Sequence, residues 1–325
     1  MKELIITPNE AEQRIDRFLK KFIPKASKGF IYKMIRKKRI KINGVRVSPD
    51  YILQIDDTIQ LYLSEDTIEG FRDIKQIISF EQLMDIVYED DNILLVNKPK
   101  GLLVHGDYKE NKNTLINQIY YYLNKKGTYK PKEENTFSPA CCNRLDRNTS
   151  GIIIVAKNYP SLQAVNSMIK EDKIVKKYLA LVKGRLYKKE DLKGFILKDR
   201  KTNKVEIIPQ EKKGSKFIHT KYNPIIHNEN FTLLEINLIT GRSHQIRAHL
   251  ASEGYPIIGD YKYGNKEVNS IFYDKFKLNS QFLHAYFIQF QKCPSFLTYL
   301  EGKSFKVSLP NDLKKITGTM GWEEK

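Results

Sequence analysis

Nine residues, Asn143-Arg144-Leu145-Asp146-Arg147-Asn148-Thr149-Ser150-Gly151, set one carboxylate between two arginines in a loop of small polar groups. Positive charge beside an acid favours its ionised form even where water is scarce. An ionised, positioned carboxylate can serve as a nucleophile. The same residues suit a plainer use, with Asp146 capping a turn through Thr149 and Ser150 and pairing with Arg147. Taken alone, the loop favours the plainer use.

A second segment, Lys176-Lys177-Tyr178-Leu179-Ala180-Leu181-Val182-Lys183-Gly184, puts a tyrosine on an alternating stretch beside a lysine pair. Its ring could cover a flat base. On local grounds alone, packing into a core is the better account. The third segment is Gly241-Arg242-Ser243-His244-Gln245-Ile246-Arg247-Ala248-His249-Leu250. Charged groups so near an apolar run are costly to bury unless paired. Arg247 can grip a carboxylate with two nitrogens, and Asp146 is a candidate for that grip. His244 and His249, five residues apart, do not share a helical face, so no metal site is expected from them. A histidine-dependent RNA nuclease built on that pair is a further reading, tested by looking for RNA cleavage. The three cysteines, Cys141 and Cys142 among them, supply neither a disulfide framework nor a four-ligand zinc set.

Chemistry of this kind needs a frame. Ile93-Leu94-Leu95-Val96 and Ile152-Ile153-Ile154-Val155 read as buried strands, because near-continuous apolar runs suit strands covered on both faces. Tyr178 to Val182 and Phe231 to Leu238 alternate as antiparallel strands do, and helical spacing marks Leu115 to Leu123 and Ser161 to Ile169. The class is α+β, with a large mixed or mostly antiparallel sheet flanked by helices over residues 83–311. Residues 1–63 read as a separate small module. Ile15, Phe18, Leu19 and Phe22 lie on one helical face. Ser27 is a candidate cap for a second helix carrying Phe30, Ile31, Met34 and Ile35. Asn43-Gly44 signals a hairpin between Ile40, Ile42, Val45 and Val47, and Ile55 to Leu61 should close the unit as a strand. Residues 64–82 read as a linker and 312–325 as a frayed tail.

Basic residues outnumber acidic ones, 56 to 38, a net charge of +18 that calls for a polyanionic partner unless it is mere lysine bias. Distribution decides. Between Asp16 and Asp50 stand twelve Lys or Arg residues and no acid. Phosphate contacts would offset the repulsion of so one-sided a surface.

These residues carry two resemblances. Arg14-Ile15-Asp16, Ser27-Lys28 and Ile42-Asn43-Gly44-Val45-Arg46-Val47 make residues 1–63 similar to the S4 RNA-binding domain. Asp56 stands where that family has glycine before Asp57, so that turn is expected to differ. The resemblance implies RNA contacts from Ser27, Lys28, Arg36, Lys37, Arg39 and Arg46. From about residue 84 to 310 the chain resembles the RluA type of ribosomal large-subunit pseudouridine synthases. Asn143 to Gly151 corresponds to the His-Arg-Leu-Asp-x-x-Thr-Ser-Gly motif, Lys177 to Gly184 to a Lys-x-Tyr-x-Ala-x-Val-x-Gly strand, and Gly241 to His249 to a Gly-Arg-Thr-His-Gln-Ile-Arg-x-His segment. Tyr88 to Asn92, Asn97 to Gly101 and Gly259 to Gly264 also match. Asn143 departs from the motif's histidine, and Ser243 replaces threonine.

The resemblance implies an isomerase that flips uridines out of structured RNA, with 23S-type ribosomal RNA as the expected partner. Asp146 would be the catalytic carboxylate, Tyr178 would stack on the uracil and aid proton transfer, and Arg247 would pair with Asp146. Arg144 would fill the space of the flipped base, Arg242 and His244 would contact RNA, and side chains of 152–155 would keep the pocket dry. Neither cofactor nor metal is implied, and no protein partner is required. A non-catalytic RNA-binding or ribosome-assembly factor is the alternative, one free to lose Asp146, Tyr178 and Arg247. No run approaches the roughly 20 apolar residues of a membrane helix. Charges interrupt the first residues where a signal peptide has its apolar stretch, so the expected location is cytoplasmic.

Overall fold

The computed structural model describes residues 1–81, 84–199, 202 and 204–322. Strand β1 (Lys2–Ile5) leads to helix α1 (Ile15–Phe22), whose buried face is Ile15, Phe18, Leu19 and Phe22. Ser27 caps α2 (Lys28–Arg36), its hydroxyl oxygen accepting from the Phe30 amide at 3.1 Å. Strands β2 (Ile40–Ile42) and β3 (Thr58–Leu61) complete a sheet ordered β1-β3-β2.

The Asn43-Gly44 turn forms as expected, with φ of +50° and +77°, but its hairpin stops there. Val45 bridges back to Ile42, and the strand that pairs with β2 is β3. Val45 and Arg46 are exposed, so a second strand there would bury nothing. β3 starts at Thr58 rather than Ile55, because Asp56 takes φ +68° in a turn, a conformation aspartate tolerates better than most residues. The expected linker is partly structure. Helix α3 (Glu65–Phe71) buries Ile68 in the module's core and lays Phe71 on Phe30, ring centres 4.9 Å apart. Gln82 and Leu83, where the linker was to meet the larger body, lie outside the described residues.

In the larger body, β4 (Ile86–Glu89), β5 (Ile93–Lys98), β6 (Ala140–Cys141) and β7 (Ser150–Ala156) form one end of a large sheet. Helix α4 (Leu115–Lys125) covers one face of it and α5 (Tyr159–Lys170) the other. Side-chain alternation explains the apolar runs. Leu94, Val96, Ile153 and Val155 join the core with α4, while Ile93, Leu95, Ile152 and Ile154 pack with Val165 and Met168 of α5. The sheet continues through β8 (Ile174–Lys183), β9 (Glu190–Lys198), β10 (Val205–Ile208), β11 (Lys216–His227) and β12 (Phe231–Leu238). After α6 (Gln245–Ser252) and α7 (Lys266–Phe276), β13 (Leu283–Phe290) inserts between β8 and β7, and β14 (Ser304–Lys306) pairs with it. The order is β10-β9-β11-β12-β8-β13-β7-β5-β4. Pairing is antiparallel except between β13 and β7.

That parallel junction sits beside the first motif. Gly151 has φ +119°, and a Cβ there would run into the Ala285 backbone of β13. Only glycine allows the two strands to meet there. The expected frayed tail is corrected for residues 312–322. Helix α8 (Asn311–Thr319) buries Leu313 and Ile316, and Trp322 joins them in the main core. Their burial offsets the entropy that would otherwise fray a terminus. Residues 323–325 lie outside the described ones.

Candidate active site

The loop between β6 and β7 is tied down on several sides. Asn143 accepts from the Ile154 amide at 2.7 Å through Oδ1 and donates to the Ile152 carbonyl at 3.3 Å through Nδ2. The residue that departs from the motif's histidine thus fastens the loop to β7. Gln281 donates to Thr149 Oγ1 at 3.1 Å, and Ser150 Oγ meets His284 Nδ1 at 2.8 Å. Arg147 reaches away to the Gly101 carbonyl at 3.0 Å. Lys98, fully buried, donates to the carbonyls of Pro99, Leu102 and Arg147. Burial pushes its ammonium down to about 7, with Asp146 pulling the other way.

With those anchors the Asp146 side chain neither caps the turn nor pairs with Arg147. Thr149 donates its amide to the Asp146 backbone carbonyl at 3.1 Å, leaving the carboxylate to face α6. There Arg247 Nη1 donates to Asp146 Oδ2 at 2.8 Å. The Arg247 side chain is 10% exposed and that of Asp146 22%, so the pair is shielded yet open to a ligand on one side. The guanidinium is held from behind. Its Nε and Nη2 donate to the two oxygens of Asp260, at 2.6 and 2.8 Å. Burial would lower the Arg247 pKa, but the hydrogen bond and charge of Asp260, with a smaller share from Asp146, raise it above the ordinary value.

Sequence reasoning missed Asp260. It lies in the Gly259 to Gly264 stretch that matched the family, but its partner is on α6, and only the fold brings them together.

Tyr178, on β8, is 5% exposed and lines the same cleft as Asp146 and Arg247. Burial raises its phenol pKa well above the ordinary tyrosine range, and the Asp146 charge adds to that. His244 caps α6 in the left-handed conformation, φ +55°, with Nε2 4.0 Å from Asp146 Oδ2 and Nδ1 2.9 Å from the Tyr263 hydroxyl. Burial lowers its pKa, with the charge of Asp146 pulling the other way. Arg144 and Arg242 are exposed at the rim.

The cleft's apolar walls are Leu145, Leu238, Ile246 and Leu283. This corrects the expectation for residues 152–155, which are committed to the cores on the two sheet faces. His249 is 2% exposed and bonded to Thr220 Oγ1 at 3.0 Å. It does not line the cleft with His244, which removes the basis for a two-histidine nuclease. Among the described residues no group of three or more His, Cys, Asp or Glu could hold a metal ion.

Size does not select the site. A cleft of about 610 Å³ lies on the N-terminal module, against about 50 Å³ around Asp146, but the small one gathers charged groups of the first and third segments and the tyrosine of the second. The larger cleft is lined by Tyr32, Lys33, Arg36, Arg46, Val47 and Ser48, among others. Lys37 and Arg39 are exposed just past α2, Lys28 lies over the Tyr32 ring at 5.3 Å, and Ser27 is engaged as the α2 cap.

Comparison with known proteins places this geometry. Residues 92–252 match the family described as RNA pseudouridylate synthase, and residues 13–59 match the S4 domain. Over 307 residues the chain is 35% identical to a Mycoplasma capricolum protein named "Uncharacterized RNA pseudouridine synthase", covering 93% of this chain and 96% of that one. The chain belongs to the RNA pseudouridine synthase family. This synthase is therefore an isomerase with RNA as its substrate, carrying an N-terminal S4 domain. It is also 34% identical over 299 residues, 88% of each chain, to the ribosomal large subunit pseudouridine synthase C of Buchnera aphidicola. In fold, the synthase is similar to the solved structure of human RNA Pseudouridylate Synthase Domain Containing 4, with a TM-score of 0.58 at 20% identity over 74% of this chain and 94% of that one. No helix among the described residues is long and apolar enough to cross a membrane.

Proposed function

We propose that the synthase converts uridines of 23S-type, large-subunit ribosomal RNA to pseudouridine, with Asp146 as the attacking carboxylate. One observation carries the reading: the Asp146 carboxylate, held by Arg247 at 2.8 Å, faces a cleft that Tyr178 lines and that stays open on one side. A uridine must leave its stack to reach such a site. Arg144, exposed at the rim, would occupy the vacated position. Asp146 then attacks the ribose or the uracil ring, or drives departure of the base, each of which needs the carboxylate ionised. The bond from ribose to N1 breaks, the base turns, and ribose rejoins it through C5. The C5 proton leaves and N1, freed from the ribose, takes one up, so the product is an isomer and no oxidant, reductant or second substrate is consumed.

The walls of Leu145, Leu238, Ile246 and Leu283 keep competing water low while the glycosidic bond is open. Arg36 and Arg46 on the S4 cleft, with Lys28, Lys37 and Arg39 nearby, hold the RNA backbone. Arg242 and His244 contact the RNA beside the flipped base. The names of relatives support large-subunit ribosomal RNA as the target.

Mapping pseudouridines in total RNA from cells with and without the gene tests this. The expected result is loss of one or more sites in large-subunit ribosomal RNA. Unaltered ribosomal RNA with sites lost from transfer RNA instead would contradict the assignment.

A further inference from the structure

The Asp260 side chain is fully shielded from solvent, yet it is a carboxylate with a donor on each oxygen and four in all. Oδ2 accepts from Arg247 Nε at 2.6 Å. Oδ1 accepts from Arg247 Nη2 at 2.8 Å and from the backbone amides of Lys262 and Tyr263 at 2.9 and 3.1 Å. Its own backbone is fixed as well. Gly264 and Asn269 Nδ2 both donate to the Asp260 carbonyl, and Asn269 Oδ1 accepts from the Gly259 amide. Gly264 has no room for a side chain beside that carbonyl, so the loop closes tightly.

A guanidinium presents its donors in a rigid plane. Once Nε and Nη2 are committed to Asp260, Nη1 is the remaining nitrogen aimed forward, and it meets Asp146 Oδ2. Two carboxylates share one cation, so the three groups together keep a net negative charge. A charge shared in this way orients Asp146 without neutralising it. Burial would push the Asp260 carboxyl up, but the Arg247 hydrogen bonds and charge hold it below the ordinary carboxylate range, so it stays an acceptor.

We propose that Asp260 is a positioning residue for pseudouridine formation: it holds Arg247 so that a single guanidinium nitrogen touches Asp146 and the carboxylate remains free to attack. The proposal rests on the reading of Asp146 as the attacking group. Without Asp260 the guanidinium is free to rotate and grip Asp146 through two nitrogens, which would sequester it.

The test uses the full chain and tritium release from RNA labelled at uridine C5. In Asp260→Asn the amide oxygen keeps the two backbone donors, but its nitrogen faces Arg247 Nε, donor against donor. Turnover at saturating RNA should fall about 10- to 100-fold with RNA affinity unchanged. A structural role alone would not produce the next result. In an Arg247→Met background, adding Asp260→Asn should change turnover by less than about 3-fold, since both act through one interaction. Losses that multiply would overturn the proposal. If Asp260→Asn does not fold, Arg247→Lys decides: a point-like ammonium cannot hold both acids in one plane, so turnover should fall comparably, and wild-type turnover would overturn the proposal. Asp146→Asn is run alongside. Turnover retained there removes Asp146 from its role and this proposal with it. An inactive Asp146→Asn beside a fully active Asp260→Asn removes this proposal alone.

Discussion

Tyr178 is buried in the cleft that Asp146 lines, and both burial and the charge of Asp146 oppose its ionisation. At neutral pH it is a phenol. In that form it can support the uracil face and donate or relay a proton, but it is not a standing base. Tyr178→Phe keeps the ring and removes the hydroxyl, so RNA affinity should hold while turnover drops about 100-fold or more, as for loss of a general acid or base. Tritium release and a binding assay on the same RNA separate the two effects. Full turnover would leave stacking as the whole role.

At this scale the sequence was legible where motifs name residues, as for Asp146 and Arg247. It was opaque to Asp260. Arg247 was expected to grip Asp146 with two nitrogens, but it touches Asp146 through one, because Asp260, which entered only through its contact with Arg247, takes the other two.

Helix α6 shows how an element supports the site. It carries Arg247 toward the cleft and His249 away from it, where Thr220 and the core enclose the imidazole. Burial pushes His249 down to about 4 from an ordinary value of 6.5. Between those values the unfolded chain takes a proton that the folded one refuses. Stability contributed by neutral His249 is therefore present above pH 6.5 and lost as pH falls toward 4. The loss should be about 2 kcal/mol. Urea unfolding at pH 7 and pH 4.5 should show His249→Gln losing less stability than wild type across that interval. Equal losses in both proteins would contradict the assignment.

Among elements, β5 and β7 were readable because a strand covered on both faces has to be apolar throughout. The second strand of the Asn43-Gly44 hairpin was not, because turn chemistry fixes the turn itself and leaves the pairing of the residues after Gly44 to burial. Helix α8 does carry a signal in its residues: Leu313, Ile316 and Met320 recur at helical spacing, and they pack on the main core.

For the whole molecule, the proposed function divides the work between an S4 domain that holds RNA and a synthase body that changes it. The two are joined by polar contacts. Asn9 Oδ1 accepts from the Tyr159 amide at 2.9 Å, and Arg72 donates to the Glu134 carbonyl at 3.0 Å. A net charge of +18 favours general attraction to RNA, and in the proposed function the S4 cleft supplies position. The charge run from Asp16 to Asp50 made that half legible, while the docking of the two parts is three-dimensional and was not. Replacing Arg36 and Arg46 together by Ala should weaken RNA binding and reduce the slope of log affinity against log salt by about 1 to 2, one for each lost phosphate contact. Turnover at saturating RNA should persist. Filter binding across a salt series reads the slope, and an unchanged slope would show that these arginines do not touch phosphate.

The proposed chemistry turns on one carboxylate, and Asp146→Asn isolates it. The substitution keeps size and an acceptor for Arg247 while removing the charge. Tritium release from uridine-labelled large-subunit RNA should disappear, with RNA affinity within about 3-fold of wild type, because the residue's role lies in the chemical step. Continued pseudouridine formation by that variant would contradict the account.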